Sequence, residues 1–91
     1  MPADSTSHTG PSIERARAVT PDLVAAMAGL IPALSANRPP PDAAQLQALL
    51  ADERLHLFLA RDPQGSIAGM VTLILYRVPT GLRARIEDLV V

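Results

Sequence analysis

Leu55-His56-Leu57-Phe58-Leu59-Ala60-Arg61, Asp62-Pro63-Gln64-Gly65, Ser66-Ile67-Ala68-Gly69-Met70-Val71-Thr72-Leu73-Ile74-Leu75-Tyr76-Arg77-Val78 is the stretch that decides the fold. Two apolar runs flank four residues built to turn. Pro63 presets φ and Gly65 can take a positive φ, so the runs are expected to form an antiparallel hairpin. The second run, Ser66 to Val78, is apolar on both faces. Ile67, Val71, Leu73 and Leu75 fall on one, and Ala68, Met70, Ile74 and Tyr76 on the other. A strand with one wet face would alternate strictly, so both faces of this strand are expected to be covered.

Working outward toward the N-terminus, Asp42 can cap a helix running to about Glu53, with Leu46, Leu49 and Leu50 on its apolar face. Asn37-Arg38-Pro39-Pro40-Pro41 is a stiff connector. Before it, Thr20-Pro21-Asp22 is a helix start: Thr caps, Pro loses nothing by lacking an N–H in the first turn, and Asp complements the helix dipole. Leu23, Met27, Leu30, Ile31 and Leu34 follow at helical spacing. Pro32 falls inside that stripe and is expected to kink or end the helix near Leu30 or Ile31. Ile13 to Val19 alternates and reads as a short peripheral strand. Residues 1–11 are rich in Ser, Thr, Pro and Gly and are expected to form a disordered tail, leaving 12–91 as the domain.

Toward the C-terminus, Pro79-Thr80-Gly81 breaks the chain, and Arg83 to Val91 reads as a last strand. The expected fold class is therefore α/β in the α+β sense: strand, helix, helix, then three antiparallel strands. The two helices suffice for one sheet face. Nothing in these 91 residues is left for the other, which predicts self-association or a complementing chain.

Composition narrows the function. There is no Cys, which excludes disulfides, thiolate catalysis and cysteine metal sites. His8 and His56 lie far apart with no carboxylate at ligand spacing, so no metal site is expected. A net charge of -1 gives no electrostatic case for nucleic acid or an anionic membrane. The apolar runs fall well short of the roughly 20 residues a membrane helix needs, and the N-terminus has no basic, apolar leader. A cytoplasmic protein is the expectation.

The run from Leu55 to Val91 resembles the GNAT superfamily of N-acetyltransferases. The pieces that carry the resemblance are Leu57-Phe58-Leu59-Ala60-Arg61-Asp62, the turn ending at Gly65, Ile67-Ala68-Gly69-Met70-Val71-Thr72-Leu73, and Arg85-Ile86-Glu87-Asp88-Leu89-Val90-Val91. The upstream strand–helix–helix order is similar to the same fold. The resemblance implies transfer of an acetyl group from acetyl-CoA to an amine-bearing small molecule or peptide. The amine attacks the thioester, a carboxylate or a water it holds takes the ammonium proton, and a backbone N–H polarises the carbonyl. It also implies that the strand Arg85–Val91 lines the cofactor. Glu87 is the candidate base, with Asp88 second, and Leu89, Val90 and Val91 offer backbone groups to the pantetheine arm. Adjacent strand residues point to opposite faces, so at most one of the two acids is expected at the cleft. Acids on an edge strand also serve as solvated charges that keep the edge from pairing with other chains.

The family's pyrophosphate turn, Arg/Gln-x-x-Gly-x-Gly/Ala opening a helix, has no counterpart in these residues. The domain is accordingly expected to be incomplete at its C-terminus, and the chain alone to bind acetyl-CoA weakly or not at all. The other reading is a non-enzymatic half-domain that serves as a dimerisation or partner-binding module.

Overall fold

The computed structural model describes residues 10–91, so the expected tail at residues 1–11 lies outside it except for Gly10 and Pro11. The architecture is α+β: β1 (Ser12–Arg15), α1 (Pro21–Leu34), α2 (Ala43–Ala51), β2 (Leu55–Arg61), β3 (Ile67–Val78) and β4 (Gly81–Val90). The four strands form one antiparallel sheet in the order β1-β2-β3-β4, so β1 and β4 are its edges.

Local chemistry explains both helix starts. Thr20 holds an extended conformation, and its Oγ1 accepts from the Leu23 N–H at 3.3 Å. Asp42 Oδ1 accepts from the Gln45 N–H at 2.8 Å, while Gln45 Oε1 accepts from the Asp42 N–H at 2.9 Å. This reciprocal capping box satisfies two of the helix's otherwise orphaned donors. The second helix closes at Asp52, one residue short of the expected Glu53.

Pro32 does not end α1 near Ile31; the helix continues to Leu34, where the Ser35 N–H bonds Ile31 O at 2.9 Å. Pro32 sits in the last turn, where its ring removes a single i→i−4 bond and few later turns depend on its geometry. β1 is likewise shorter than the expected Ile13–Val19. Pairing with β2 runs from Ser12 to Arg15, and one further bond joins the Ala16 N–H to Leu57 O at 2.8 Å.

The β2–β3 hairpin forms around the expected turn. The Gly65 N–H bonds Asp62 O at 2.9 Å, with Gly65 at φ 88. Asp62 Oδ1 accepts from the N–H groups of Gln64 at 3.0 Å and Ser66 at 2.9 Å. Arg61 ties three elements together beside this turn. Its Nε donates to Glu14, and its Nη1 donates to Asp22 Oδ2 at 2.9 Å and to Gly65 O at 2.7 Å.

Both helices pack on one sheet face. The core there is Leu23, Met27, Leu46, Leu57, Leu59, Met70 and Val90. Burying a side chain of this size stabilises by about 1.5–3 kcal/mol, so seven of them are a small core. The facing assignment of Ile67 needs correction. A bulge between Ala60 and Arg61 makes Ile67 pair with Arg61 while Gly69 pairs with Ala60. The extra residue reverses the alternation, and Ile67 packs against the core instead of sharing a face with Val71, Leu73 and Leu75. Leu49, expected on the apolar face of α2, is 41% exposed.

The opposite sheet face has no described element packed against it. Across it run the pairs Phe58–Val71, His56–Leu73–Ile86 and Leu75–Ala84. Ile13, Leu82 and Ile86 are 71%, 59% and 66% exposed. His56 is half-buried in its row, and its Nε2 has no hydrogen-bond partner. No helix among the described residues is long and apolar enough to cross a membrane.

Candidate functional site

β4 begins at Gly81, whose φ of 138 closes a two-residue turn through Pro79 and Thr80. From there it pairs regularly with β3 until Glu87, which lies opposite Thr72. The next pair is Met70 with Val90, so Val71 faces two residues of β4, Asp88 and Leu89. This is a β-bulge, and Asp88 takes up its geometry with φ 51. Asp is among the few residues that enter this left-handed region at modest cost. Bulges bend an edge, leave a backbone group out of the ladder and re-aim nearby side chains.

The bulge decides where the two acids lie. Strict alternation would set Glu87 and Asp88 on opposite faces; both instead contribute to the wall of a groove of about 700 Å³ on the helix side of the sheet. Glu87 is half-buried, and its Oε1 is held by Arg85 Nε at 2.6 Å. The floor of the groove is built from cross-strand rows, Leu55–Ile74 and Leu57–Thr72–Glu87, with Met70 beyond them. Its roof is the second half of α1, through Met27, Ile31 and Leu34, and one side of α2, through Leu46 and Leu49. The connector closes one side with Ser35, Arg38, Pro39 and Pro41.

The three residues after the acids separate in role. The Val90 side chain is buried in the core, whereas Leu89 and Val91 are 64% and 94% exposed. All three lie at the sheet edge, where no described strand pairs with the outer side of β4. Gly69 on β3 sits against this segment. A Cβ built there would lie 2.9 Å from Val90 O and 3.4 Å from Val91 Cα. Gly69 therefore answers to the close approach of the β4 backbone.

The other polar residues stand apart. Arg83 Nη2 donates to Thr80 Oγ1 at 2.9 Å, and Tyr76, on β3 beyond the groove, is 40% exposed. No group of three or more His, Cys, Asp or Glu among the described residues is placed to hold a metal ion.

Several groove residues carried no signal in the sequence. Leu34 and Leu49 belong to ordinary helical stripes, and only the incomplete cover above them exposes them at the groove mouth, 37% and 41%. Arg38 reads as part of a stiff linker; it lines the groove because three prolines fix the path of that linker. No family model, curated protein or solved structure matches the chain.

Proposed function

We propose that this chain is an acetyl-transfer scaffold similar to the GNAT superfamily of N-acetyltransferases. The β4 edge beyond the bulge receives the pantetheine arm of acetyl-CoA, the helix-side groove takes a primary amine, and Glu87, with Asp88 second, serves as the base. The amine nitrogen attacks the thioester carbonyl carbon, the C–N bond forms, the C–S bond breaks, and the thiolate of coenzyme A leaves. The carboxylate takes the ammonium proton. The neutral amine is the nucleophile, so a carboxylate beside it both draws in the protonated amine and accepts the proton it must lose.

The observation that carries this reading is the bulge at Asp88. It puts a break in the ladder, an open strand edge and two carboxylates within a few residues of one another, beside an apolar groove. A backbone N–H released from a ladder at such a point is the donor that a developing oxyanion requires. Backbone in a sparsely populated region at a cleft favours a functional origin. Saturation-transfer NMR with acetyl-CoA on the 91-residue chain tests the proposal. Transfer to the acetyl and pantetheine protons is expected; transfer confined to the adenine, or none at millimolar ligand, would sink it.

A second reading, the sheet as a non-enzymatic dimerisation or partner-binding platform, is favoured by a separate observation. Ile13, Leu82 and Ile86 are exposed together with a sheet face that no described element covers. Apolar sheet surface left without cover is a common mark of an interaction site. The two readings use opposite faces of one sheet.

A further inference from the structure

We infer that the acceptor held in the groove is a monoamine on a compact apolar body, not an aminosugar, a polyamine or a basic peptide; the inference rests on the acetyl-transfer reading above. The groove's volume, about 700 Å³, falls in the range of small-molecule sites. Its polarity is confined. Glu87 and Asp88 lie on the β4 side, Arg38 enters from the connector, and Ser35 and Thr72 are the only other polar side chains in the lining. An aminosugar would bury hydroxyl groups against Leu, Ile, Met and Pro, where they would lack partners, and that selects strongly against it. A polyamine or Lys-rich peptide needs a second acid well separated from the first; both acids of this groove are adjacent on β4. Away from β4 the lining offers Arg38, which has no ion pair among the described residues and repels a second cation.

Charge complementarity places the amine. Both carboxylates of the lining are on β4; Arg85 already pairs Glu87 at 2.6 Å, whereas Asp88 has no ion pair among the described residues, so the uncompensated negative charge lies at the bulge. Exposed apolar surface places the body. Leu34 and Leu49, 37% and 41% exposed, stand at the mouth beside Pro39 and Pro41. A ligand body seated there removes them from water.

The test is a chemical-shift titration of the full chain, without acetyl-CoA, using 2-phenylethylamine, its neutral counterpart 2-phenylethanol, glucosamine and spermidine. Phenylethylamine is expected to shift the methyl resonances of Leu49, Met70 and Ile74 saturably. The other three are expected to bind at least about tenfold more weakly, the loss that one charge-assisted contact or one unpaired polar group produces. Glu87→Gln should weaken phenylethylamine by a similar factor. Leu49→Arg, at an exposed helix position, should block the mouth, and Gln64→Ala, in the exposed β2–β3 turn outside the groove, should change nothing. Tighter binding of glucosamine or spermidine overturns the inference, as does binding that ignores Leu49→Arg or is lost in Gln64→Ala. The companion acetyl-CoA experiment separates the two claims: cofactor contacts at β4 with glucosamine as the tighter amine leave acetyl transfer standing and remove the apolar acceptor. Phenylethylamine in the groove with no cofactor contact at β4 does the reverse.

Discussion

The same substitution, Gly to Ala, is expected to have opposite effects at two positions, and Gly69 is the informative one. In a strand, replacing Gly normally gains about 0.5–1 kcal/mol, because Gly loses the most backbone freedom on folding. At position 69 the new methyl would sit 2.9 Å from the Val90 carbonyl oxygen and 3.4 Å from Val91 Cα. Both are backbone atoms, so relief requires β4 to move away from β3. Overpacking of this kind costs about 1–3 kcal/mol, which exceeds the entropic gain. The net is a destabilisation of about 1–2 kcal/mol, or a fall in Tm of roughly 5–15 °C for a domain of this size. At Gly29, in the exposed part of α1, a Cβ would meet nothing within 4 Å. There Gly29→Ala should stabilise by about 0.5–1 kcal/mol. Thermal unfolding followed by circular dichroism, at matched protein concentration because association shifts Tm, measures both. If Gly69→Ala is as stable as the parent, or both variants rise together, the close packing of Val90 against Gly69 is refuted.

Two further outcomes follow from other parts of the molecule. On the open sheet face, Ile86→Ser with Leu82→Ser removes side chains 66% and 59% exposed; sedimentation velocity should show self-association weakened at least about tenfold, since each apolar side chain contributes about 1.5–3 kcal/mol when buried. A parent chain that stays monomeric and binds no apolar dye would contradict it. At the N-terminus of α1, a hydrogen bond from the Thr20 hydroxyl, and then Arg61, hold the Asp22 carboxyl below its ordinary pKa of 3.8. A depressed carboxylate pKa stabilises the fold above the unfolded-state value and loses that contribution as pH falls through the folded-state value. The stability difference between the parent and Asp22→Asn should therefore hold steady above pH 3.8 and close below it; a difference unchanged through acid would count against the Thr20–Asp22–Arg61 contacts.

What could be read from the sequence was what neighbouring residues determine. Thr20 caps α1 and Asp42 caps α2 because each reaches an N–H three residues on, and Asp62 to Gly65 turns because Gly65 can adopt φ 88. The paired strands and two helices followed from those signals and from periodicity. What escaped depends on residues distant in the chain. Arg61 gathers Glu14, 47 residues away, and Asp22, 39 away, which no local pattern encodes. Ile67 changes face because of one extra residue in β3, a matter of pairing rather than of composition. The candidate site shows the same limit. The acids at 87 and 88 are conspicuous in the sequence, but their shared position on the groove wall depends on a bulge that alternation does not foresee. The apolar walls from α1, α2 and the connector are visible only once the helices are seated on the sheet.

The central claim is that the β4 edge at and beyond the bulge is where acetyl-CoA binds. Residue-resolved amide shift mapping with acetyl-CoA, with acetate as the control, tests it most directly. Perturbations are expected to concentrate at Glu87, Asp88, Leu89, Val90 and Val91, produced by acetyl-CoA and absent with acetate, even where affinity is only millimolar. An unperturbed β4, or shifts confined to the open face around Leu73 and Ile86, would contradict it.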